Sequence, residues 1–465
     1  MLFLFEGKSM KVSINPTEFA SRDYDDFLVV YNLRMKQIIK LENVAYDIWK
    51  FIETKIKTTL EEIVIHILSL YECEQFEVEQ DVKDFLQDLF DSGFILFDSK
   101  YSEKTNIIYE PDFDFKDSDI EVSIIQELKS RNQLYTVTFE MTYACNEKCI
   151  HCYANYPSES NKNVKISIEK YKQLIDELYE MKVMHIAFTG GDPFMYKDFV
   201  EIFEYARKKQ FICDIYTNAQ ILADNLEIFE RIVKAKPRAV YISLYGADAE
   251  THEKITTIKG SFNKTVSVVK DFHNRKIPVV LNMMVLTVNH EKIEETILFA
   301  KKLGVGYRLG LSIIYKNDGS SAPMNYFVGD EEKIKQILKI EKKHLFSNDI
   351  PIEKNNSNVT DSICAAGSTT LSVSPDGSIY PCISLKIKLG NVFRDSFKKV
   401  WESEKRKNLV SSLVWKNTKE CKSCKTRTSC PHCVGISELE KSDMFACNTC
   451  DKLLSDCLST VSINQ

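Results

Sequence analysis

The sequence predicts an α/β protein: a partial six-stranded (β/α)6 barrel that follows a winged-helix-like domain and precedes a cysteine-rich domain. Its 465 residues suggest about three domains at roughly 150 residues each. Through residues 131–325, short β-branched or aromatic runs alternate with longer amphipathic runs, which is typical of β-α units around a parallel sheet. Nine of the 14 cysteines lie between Cys364 and Cys457, where staples can replace a hydrophobic core.

The composition indicates a folded protein that binds neither nucleic acid nor a membrane. Hydrophobic residues make up 44% of the chain, too many for a mainly disordered protein. The net charge of -6 lacks the basic excess that binding to a phosphate backbone needs. Glu6 interrupts the apolar start before it reaches signal-peptide length, and no apolar stretch reaches the ~18 residues of a spanning helix. We therefore expect a cytoplasmic protein, whose cysteines indicate metal binding or catalysis rather than disulfides.

Residues 1–100 are predicted to form the winged-helix-like domain. Alternating and helical periodicities predict two strands and three helices, at Phe27–Leu33, Ile38–Leu41, from Glu42 onward, Thr59–Tyr71 and Phe76–Ser92. Gly93 is expected to end the last helix. Residues 101–130, which are rich in Asp, Glu, Lys and Ser, are predicted to be a linker.

The barrel is predicted over residues 131–325. Its six strand candidates are Tyr135–Phe139, His185–Thr189, Cys213–Thr217, Ala239–Leu244, Val279–Val285 and Tyr307–Leu311. Residues 326–465 are assigned to a bridging region and to the cysteine-rich domain.

A triplet of cysteines follows the first predicted barrel strand. Cys145, Cys149 and Cys152 supply three thiolates, which can hold three irons of a four-iron cluster and leave one iron open. The alternative is a structural zinc site, but a closed zinc site needs four ligands. Taken alone, the triplet leaves both interpretations open.

A glycine-rich turn, Gly190-Gly191-Asp192-Pro193, closes the second predicted strand, and its glycines permit close approach to a ligand. The two motifs together resemble those of the radical S-adenosylmethionine (SAM) enzymes, in which Glu is more usual than Asp at the third position of the turn. The resemblance implies that the open iron chelates the amino and carboxylate groups of SAM, and that an electron then cleaves SAM to a 5′-deoxyadenosyl radical. It implies the following SAM contacts: Gly190, Gly191, Asp192, Asn218, Ser243 and, for the carboxylate, Lys264. It assigns no catalytic side chain.

The later cysteines resemble the SPASM extension, which carries auxiliary clusters behind a radical SAM barrel. The pattern runs from Cys364 and Gly377 to Cys382 and continues as a C-x2-C-x5-C-x2-C run. The resemblance implies a nearer cluster held by Cys364, Cys382 and Cys433, and an outer one held by Cys421, Cys424, Cys430 and Cys447, for three [4Fe-4S] clusters in all. One iron lacks a ligand, which Cys450, Cys457 or a substrate thiolate would supply. Paired zinc ribbons are the alternative.

The amino-terminal domain resembles the small chaperone of pyrroloquinoline quinone biosynthesis, which captures leader peptides. Such a domain binds an extended leader as an added strand at a sheet edge, and Asp23, Asp25 and Tyr31 are expected near that edge. The whole resemblance implies a maturase that crosslinks a ribosomally synthesised precursor peptide, with flavodoxin or ferredoxin as electron donor. We expect a thioether, as in sactipeptide and ranthipeptide maturases. The alternatives are carbon–carbon crosslinking, epimerisation, sulfatase maturation and, from another class, a zinc-stapled peptide binder without catalysis.

Overall fold

The computed structural model describes residues 11–14, 18–97, 119–154, 166–344, 358 and 360–463. The chain divides into two compact units. One takes in residues 1–110, 117–127 and 207–212, and the other takes in residues 111–116, 128–206 and 213–465. Residues 1–10 of the predicted first domain and residues 101–118 of the predicted linker lie outside the described residues.

The first part of the chain contains six short strands and three helices. They are β1 (Lys11–Ser13), β2 (Phe19–Asp23), β3 (Phe27–Asn32), β4 (Gln37–Glu42), α1 (Asn43–Lys55), β5 (Thr58–Thr59), α2 (Leu60–Leu70), α3 (Gln75–Asp91) and β6 (Leu96–Phe97). The strands form two three-stranded antiparallel sheets, in the orders β5-β1-β6 and β2-β3-β4. The predicted strands and helices are thus present within a few residues of their expected bounds. The residues 119–130 of the expected linker form a helix, α4 (Asp119–Ser130).

Local chemistry explains these bounds. The Thr59 hydroxyl accepts a hydrogen bond from the Glu62 amide, and the Glu62 carboxylate accepts one from the Thr59 amide, so a capping box starts α2. Gly93 adopts a φ of +71° just beyond α3, as expected for a helix stop. The expectation for Tyr31 is corrected: Tyr31 lies on β3, the middle strand of its sheet, and is buried, whereas Asp23 lies on the edge strand β2.

The rest of the chain alternates strands and helices before it becomes rich in loops. Its strands are β7 (Thr136–Glu140), β8 (His185–Thr189), β9 (Ile212–Thr217), β10 (Ala239–Ser243), β11 (Val279–Met284), β12 (Gly306–Gly310), β13 (Thr370–Val373), β14 (Ser378–Tyr380) and β15 (Gly390–Asn391). Its helices are α5 (Ile168–Glu180), α6 (Phe199–Lys208), α7 (Gln220–Asp224), α8 (Leu226–Ala235), α9 (Ala249–Thr256), α10 (Ser261–Asn274), α11 (Ile293–Leu303), α12 (Glu331–His344), α13 (Phe397–Glu402), α14 (Glu404–Ser412), α15 (Val434–Lys441) and α16 (Thr449–Ile463).

The strands of this part form one nine-stranded sheet in the order β12-β11-β10-β9-β8-β7-β13-β14-β15. The six predicted barrel strands are therefore neighbours in chain order, and the pairs β7–β8, β9–β10, β10–β11 and β11–β12 are parallel. Their near-continuous burial is typical of parallel strands covered on both faces. The predicted partial (β/α)6 barrel is confirmed.

The carboxy-terminal region extends this sheet beyond β7. Strand β13 pairs with β7 in parallel, and β14 and β15 add antiparallel strands. The sequence did not predict that the cysteine-rich region shares a sheet with the barrel. Within the described ranges, no helix combines the length and the apolar character needed to cross a bilayer.

Candidate active site

The candidate site lies at the carboxyl ends of the parallel strands, where ligands usually bind in open α/β sheets. The cysteine triplet follows β7, the glycine turn follows β8, Asn218 follows β9 and Ser243 ends β10. These elements line one cavity of about 460 Å³. Seven of the residues predicted from the sequence meet there: Cys145, Cys149, Cys152, Gly190, Gly191, Asn218 and Ser243.

Backbone hydrogen bonds hold the loop of the cysteine triplet in place. The Lys148 amide donates to the Thr256 carbonyl at 3.1 Å, and the Ile150 amide donates to the Ile255 carbonyl at 3.0 Å. The Cys152 amide donates to the Cys149 carbonyl at 3.0 Å, which closes a tight turn within the motif. Two backbone hydrogen bonds thus hold the loop against the end of α9.

The donor set of this loop fits a four-iron cluster. All three thiols are partly exposed, and in the described part of the chain no fourth cysteine lines the cavity. Soft thiolates are the usual ligands of iron–sulfur centres, and three of them leave one iron open. Burial raises the pKa of Cys145 to about 12 and raises the pKa of Cys149 and of Cys152 as well. Assembly of a cluster must therefore release protons from these thiols.

The two glycines of the turn allow β8 to approach the cysteine loop closely. The Gly191 amide donates to the Thr142 carbonyl at 2.6 Å. A Cβ on Gly190 would lie 2.3 Å from the Thr142 oxygen, and one on Gly191 would lie 2.3 Å from the Ala144 oxygen. Such contacts are too short for any side chain. The glycines were predicted to serve a ligand, and the structure shows that they also make room for the loop that carries Cys145.

Asp192 is placed differently from the expectation that it contacts SAM. Its side chain is 1% exposed and does not line the cavity. One carboxylate oxygen accepts hydrogen bonds from the Thr217 hydroxyl at 2.7 Å and the Asn218 amide at 2.9 Å, and the other accepts from the Phe194 amide at 3.0 Å. The carboxylate therefore ties the glycine turn to the end of β9 and positions Asn218.

Lys264 is not brought to the cavity either. It lies on α10, where its ammonium group pairs with the Asp224 carboxylate at 2.5 Å. Both side chains are largely exposed, so this is a surface ion pair. Lys264 is not among the residues that line the cavity.

Glu147, within the cysteine motif, was missed by the sequence analysis. It is 2% exposed, accepts a hydrogen bond from the Gln220 amide at 2.6 Å and contacts the Cys149 sulfur at 3.2 Å. Burial raises the pKa of its carboxyl to about 7. Nearby, the amide of Asn218 donates to the Asn146 side chain at 2.6 Å. Side chains between the cysteines thus bind the loop to the region after β9.

Tyr245 forms part of the wall of the cavity. Its amide donates to the buried His252 ring at 3.2 Å, and its own ring meets His151 edge-on at 4.9 Å. Burial lowers the pKa of His151 to about 4, so this imidazole is neutral near pH 7. The wall beside the cysteine loop is therefore aromatic and uncharged.

A second group that the sequence analysis missed consists of Tyr216, Tyr241 and Arg308. The two tyrosine rings are stacked at 4.4 Å with an angle of 7° between their planes. The Arg308 guanidinium lies 5.0 Å from the centre of the Tyr241 ring, and all three side chains line the cavity. Tyr216 lies on β9, Tyr241 on β10 and Arg308 on β12. The one sequence signal for them is the alternation of side chains along each strand, which decides whether a residue faces the inside of the barrel.

The later cysteines influence one another electrostatically in two sets. Charge on Cys382 raises the pKa of both the Cys364 and the Cys433 thiols, after the larger effect of burial. In the other group, Cys421 is hydrogen bonded to Cys447 and is affected electrostatically by Cys430 and Cys424. Cys382 is thus near Cys364 and Cys433, and Cys421 is near Cys424, Cys430 and Cys447. Among the described residues, however, no three Cys, His, Asp or Glu side chains are arranged as a ready metal site.

Cys450 and Cys457 have other surroundings. Cys457 is fully buried in an apolar cluster with side chains of α11 and α12, and its sulfur lies 3.6 Å from the Glu331 carbonyl. The Cys450 sulfur lies 3.6 Å from the Ile313 carbonyl. Asp451 lies between these two cysteines in the sequence, and its carboxylate accepts a hydrogen bond from the Cys433 backbone amide at 2.6 Å. Both sulfurs thus contact backbone carbonyls.

Comparisons with known proteins agree with this arrangement. The model of the radical SAM superfamily matches residues 139–300, that of the SPASM iron-sulfur cluster-binding domain matches residues 364–431, and that of coenzyme PQQ synthesis protein D (PqqD) matches residues 28–95. The chain thus contains a segment similar to the radical SAM superfamily, preceded by a segment similar to PqqD and followed by one similar to the SPASM domain.

The chain is also similar to individual proteins of known name. The chain is 29% identical over 276 residues to the antilisterial bacteriocin subtilosin biosynthesis protein AlbA of Bacillus subtilis (strain 168), covering 57% of this chain and 59% of AlbA. It is 26% identical to the sporulation killing factor maturation protein SkfB of the same strain, covering 66% of this chain and 70% of SkfB. It is 24% identical to mycofactocin maturase MftC of Mycolicibacterium smegmatis, covering 64% of this chain and 75% of MftC.

Solved structures show the same fold. SuiB of Streptococcus suis bound to S-adenosylmethionine covers 94% of this chain and 99% of its own, with a TM-score of 0.58 and 16% identity. SuiB bound to the precursor peptide SuiA has the same TM-score, at 14% identity and equal coverage. The enzyme anSMEcpe with AdoMet and the Cp18Cys peptide covers 71% of this chain and 97% of its own, with a TM-score of 0.56 and 18% identity.

Proposed function

We propose that this protein cleaves SAM reductively and uses the resulting radical to install an intramolecular crosslink in a ribosomally synthesised precursor peptide. The observation that carries the proposal is the meeting of three cysteines, a glycine turn and two polar strand ends on one cavity. Its volume of about 460 Å³ is within the range of small-molecule sites. When bound, the cluster and SAM supply a 5′-deoxyadenosyl radical that removes hydrogen from an unactivated carbon.

The chain's own residues hold and shield these groups. Cys145, Cys149 and Cys152 would hold three irons. The glycine turn leaves the backbone open beside them, and the Asn218 amide, fixed by Asn146, and the Ser243 hydroxyl face the same space. Tyr245 and the other apolar wall residues exclude water, which matters because a radical needs a site without competing reactions.

The peptide partner is proposed on the basis of the PqqD domain and the relatives. In the first unit the sheet β2-β3-β4 has two edge strands with backbone groups that an extended leader can pair with. The names of AlbA, SkfB and MftC refer to biosynthesis or maturation, and SuiB has been crystallised with a precursor peptide. Docking of a leader would raise the local concentration of the attached core peptide at the active site.

We propose three [4Fe-4S] clusters, one in the barrel and two in the SPASM domain, and a thioether as the bond formed. The group of Cys364, Cys382 and Cys433 has three thiols, and Cys450 and Cys457 are engaged elsewhere. One position is thus left for a cysteine sulfur of the substrate. A sulfur held there, facing the radical carbon, favours thioether formation over epimerisation or carbon–carbon crosslinking.

The electron is proposed to come from a flavodoxin or ferredoxin in the cytoplasm, a compartment whose reducing conditions suit fourteen unpaired thiols. Cys149 and Cys152 also line a second cavity of about 410 Å³, together with Lys148 and Lys316. On a chain with a net charge of -6, this pair of lysines offers a local positive surface to an acidic carrier. The short path to the cysteines supports electron entry at this side.

The test begins with the anaerobically reconstituted protein. About twelve irons with matching sulfide per chain are expected for three clusters, whereas zinc without sulfide would indicate the non-catalytic binder. Changing Cys145, Cys149 and Cys152 together to alanine should abolish release of 5′-deoxyadenosine and leave leader binding intact. Cys73→Ala is the matched control, because Cys73 is exposed and lies in the other unit. Undiminished release from the triple variant would refute the assignment.

The bond type needs the substrate. The short peptide encoded beside the gene, incubated with enzyme, SAM and reductant, should lose two hydrogens per crosslink in mass spectrometry. A thioether additionally removes one alkylatable thiol for each bond. Loss of two hydrogens with all thiols still free would indicate a carbon–carbon bond instead, and an unchanged mass with deuterium incorporation would indicate epimerisation.

A further inference from the structure

The cavity carries one cation that the protein does not neutralise. Among the lining residues in the described part of the chain, Glu147 carries the one carboxyl group and Arg308 the one permanent cation. Glu147 is already held by Gln220 and by the Cys149 sulfur. Arg308 is exposed to the cavity, and within the described ranges no carboxylate pairs with it.

The guanidinium is nevertheless held in position. It lies over the Tyr241 ring at 5.0 Å and is hydrogen bonded to Tyr216, and the two rings support each other by stacking. Such a cation–π contact orients a guanidinium but leaves its outer donors free. The side chain is therefore prepared for a partner that the protein itself does not supply.

A second arginine shows how the fold treats a cation that has only a structural role. Arg238 is paired through two of its nitrogens with the buried Asp214 carboxylate, which also contacts the His185 ring at 3.0 Å. A cation removed from water needs such compensation. Arg308 differs from Arg238 in both respects: it is exposed to the cavity and has no carboxylate partner in the described part of the chain, so its charge is accessible to a ligand.

The register of the strands places Arg308 next to the proposed SAM site. Arg308 on β12 is opposite Asn282 on β11, which is opposite Ser243 on β10. These three side chains form one layer across the sheet, and all of them line the cavity. A group bound at Arg308 would therefore lie beside the reacting centre.

We propose that Arg308 receives the carboxylate of an aspartate or glutamate in the core of the precursor peptide, and thereby selects the site of modification. This inference rests on the proposed function. A planar guanidinium matches a carboxylate through two parallel hydrogen bonds, which gives orientation as well as affinity. SAM carries a carboxylate too, but the vacant iron beside the cysteine triplet would take it, which leaves Arg308 for the peptide.

The test compares Arg308→Met with Arg308→Lys and with Arg275→Met, a matched control whose guanidinium pairs with Glu230 on the surface. The probes are SAM alone, the peptide encoded beside the gene, and versions of that peptide in which each core Asp or Glu is changed to Asn or Gln. The measurements are the dissociation constant of SAM from the spectral response of the cluster, and kcat/KM for peptide modification by mass spectrometry.

We expect Arg308→Met to lower kcat/KM by about 10- to 100-fold, as for loss of a hydrogen bond to a charged group. Arg308→Lys should recover part of the loss and Arg275→Met should show none. With the wild-type enzyme, one of the acid-to-amide peptides should show a similar fall in kcat/KM. With Arg308→Met the same peptide should show little further fall, because the two changes remove the same contact.

Three results would overturn the inference. The first is a precursor peptide whose core contains no Asp or Glu. The second is that the wild-type enzyme modifies every acid-to-amide peptide as efficiently as the unchanged peptide. Weakening of SAM binding by tenfold or more in Arg308→Met would assign the carboxylate to SAM instead. Failure of the proposed function would be seen separately, as absence of 5′-deoxyadenosine from the wild-type enzyme.

Discussion

Replacement of Gly191 by alanine tests whether the close approach of the glycine turn to the cysteine loop is what builds the site. The added Cβ would lie 2.3 Å from the Ala144 carbonyl oxygen and 2.7 Å from the Tyr143 oxygen. Carbon–oxygen contacts begin near ~3.3 Å, so the loop or the turn must retreat by about 1 Å. Both contacts are with backbone, which cannot move aside as the end of a flexible side chain can.

The consequence for activity follows from the position of Ala144, which directly precedes Cys145 in the chain. A displacement of ~1 Å in a site that positions reactants can lower the rate by about 100-fold. The two backbone hydrogen bonds between turn and loop, Gly191 to Thr142 at 2.6 Å and Asp192 to Ala144 at 3.0 Å, would weaken as well. Overpacking at such a contact costs about 1–3 kcal/mol of stability, which leaves most of the protein folded.

The assay is the rate of 5′-deoxyadenosine formation by the reconstituted enzyme, measured together with its iron content. Gly329→Ala is the matched control, because a Cβ there would meet the Phe327 ring at an ordinary 3.7 Å. We expect Gly191→Ala to lose about two orders of magnitude in rate and Gly329→Ala to lose none. A rate for Gly191→Ala within twofold of the wild type would refute the reasoning.

Two further predictions concern charges. Burial raises the pKa of Asp214, but Arg238 and His185 outweigh that effect and hold the pKa below its usual range. Asp214→Asn should therefore lower the free energy of unfolding by about 3 kcal/mol near neutral pH. Urea unfolding measures this change. Because the folded-state pKa is depressed, this stabilisation is present above pH ~4 and declines by up to ~1.4 kcal/mol per pH unit below it. The difference in free energy of unfolding between wild type and variant should therefore become smaller in acid. A difference that stays constant from pH 7 to pH 3 would contradict the assignment. Lys264→Met should change the SAM dissociation constant by less than about twofold, since its ammonium pairs with Asp224 on the surface and such pairs contribute ~1 kcal/mol or less; a tenfold weakening would restore Lys264 as a SAM contact.

Features that depend on neighbours along the chain were predictable. The strand His185–Thr189 was predicted with the bounds that it has, because an apolar β-branched run followed by two glycines specifies its own ends. The triplet of Cys145, Cys149 and Cys152 was recognisable as a metal motif for the same reason, since all three lie within eight residues of one loop. The iron–sulfur interpretation came from the resemblance that the triplet and the glycine turn carry together. Local spacing was also sufficient to predict the helices of the amino-terminal domain.

Features that depend on strand register or on the face of a helix were not predictable. Asp192 contacts Thr217 and Asn218, and Lys264 pairs with Asp224, whereas the family resemblance implied that both contact SAM. Cys457 could have been a cluster ligand by composition, but it lies in an apolar cluster between helices. In each case, the residue that makes the contact belongs to another strand, helix or loop of the fold.

The sequence by itself determined the order of the three domains, the six strands of the barrel and the loop that carries its cysteine motif, because these depend on short-range periodicity and spacing. Only the tertiary structure decided which polar side chains face the cavity. It aligned Arg308 with Asn282 and Ser243 across three strands, and it joined the SPASM strands to β7. Parallel pairing connects residues that are far apart in the chain, and the alternation of side chains along each strand then decides which of them meet.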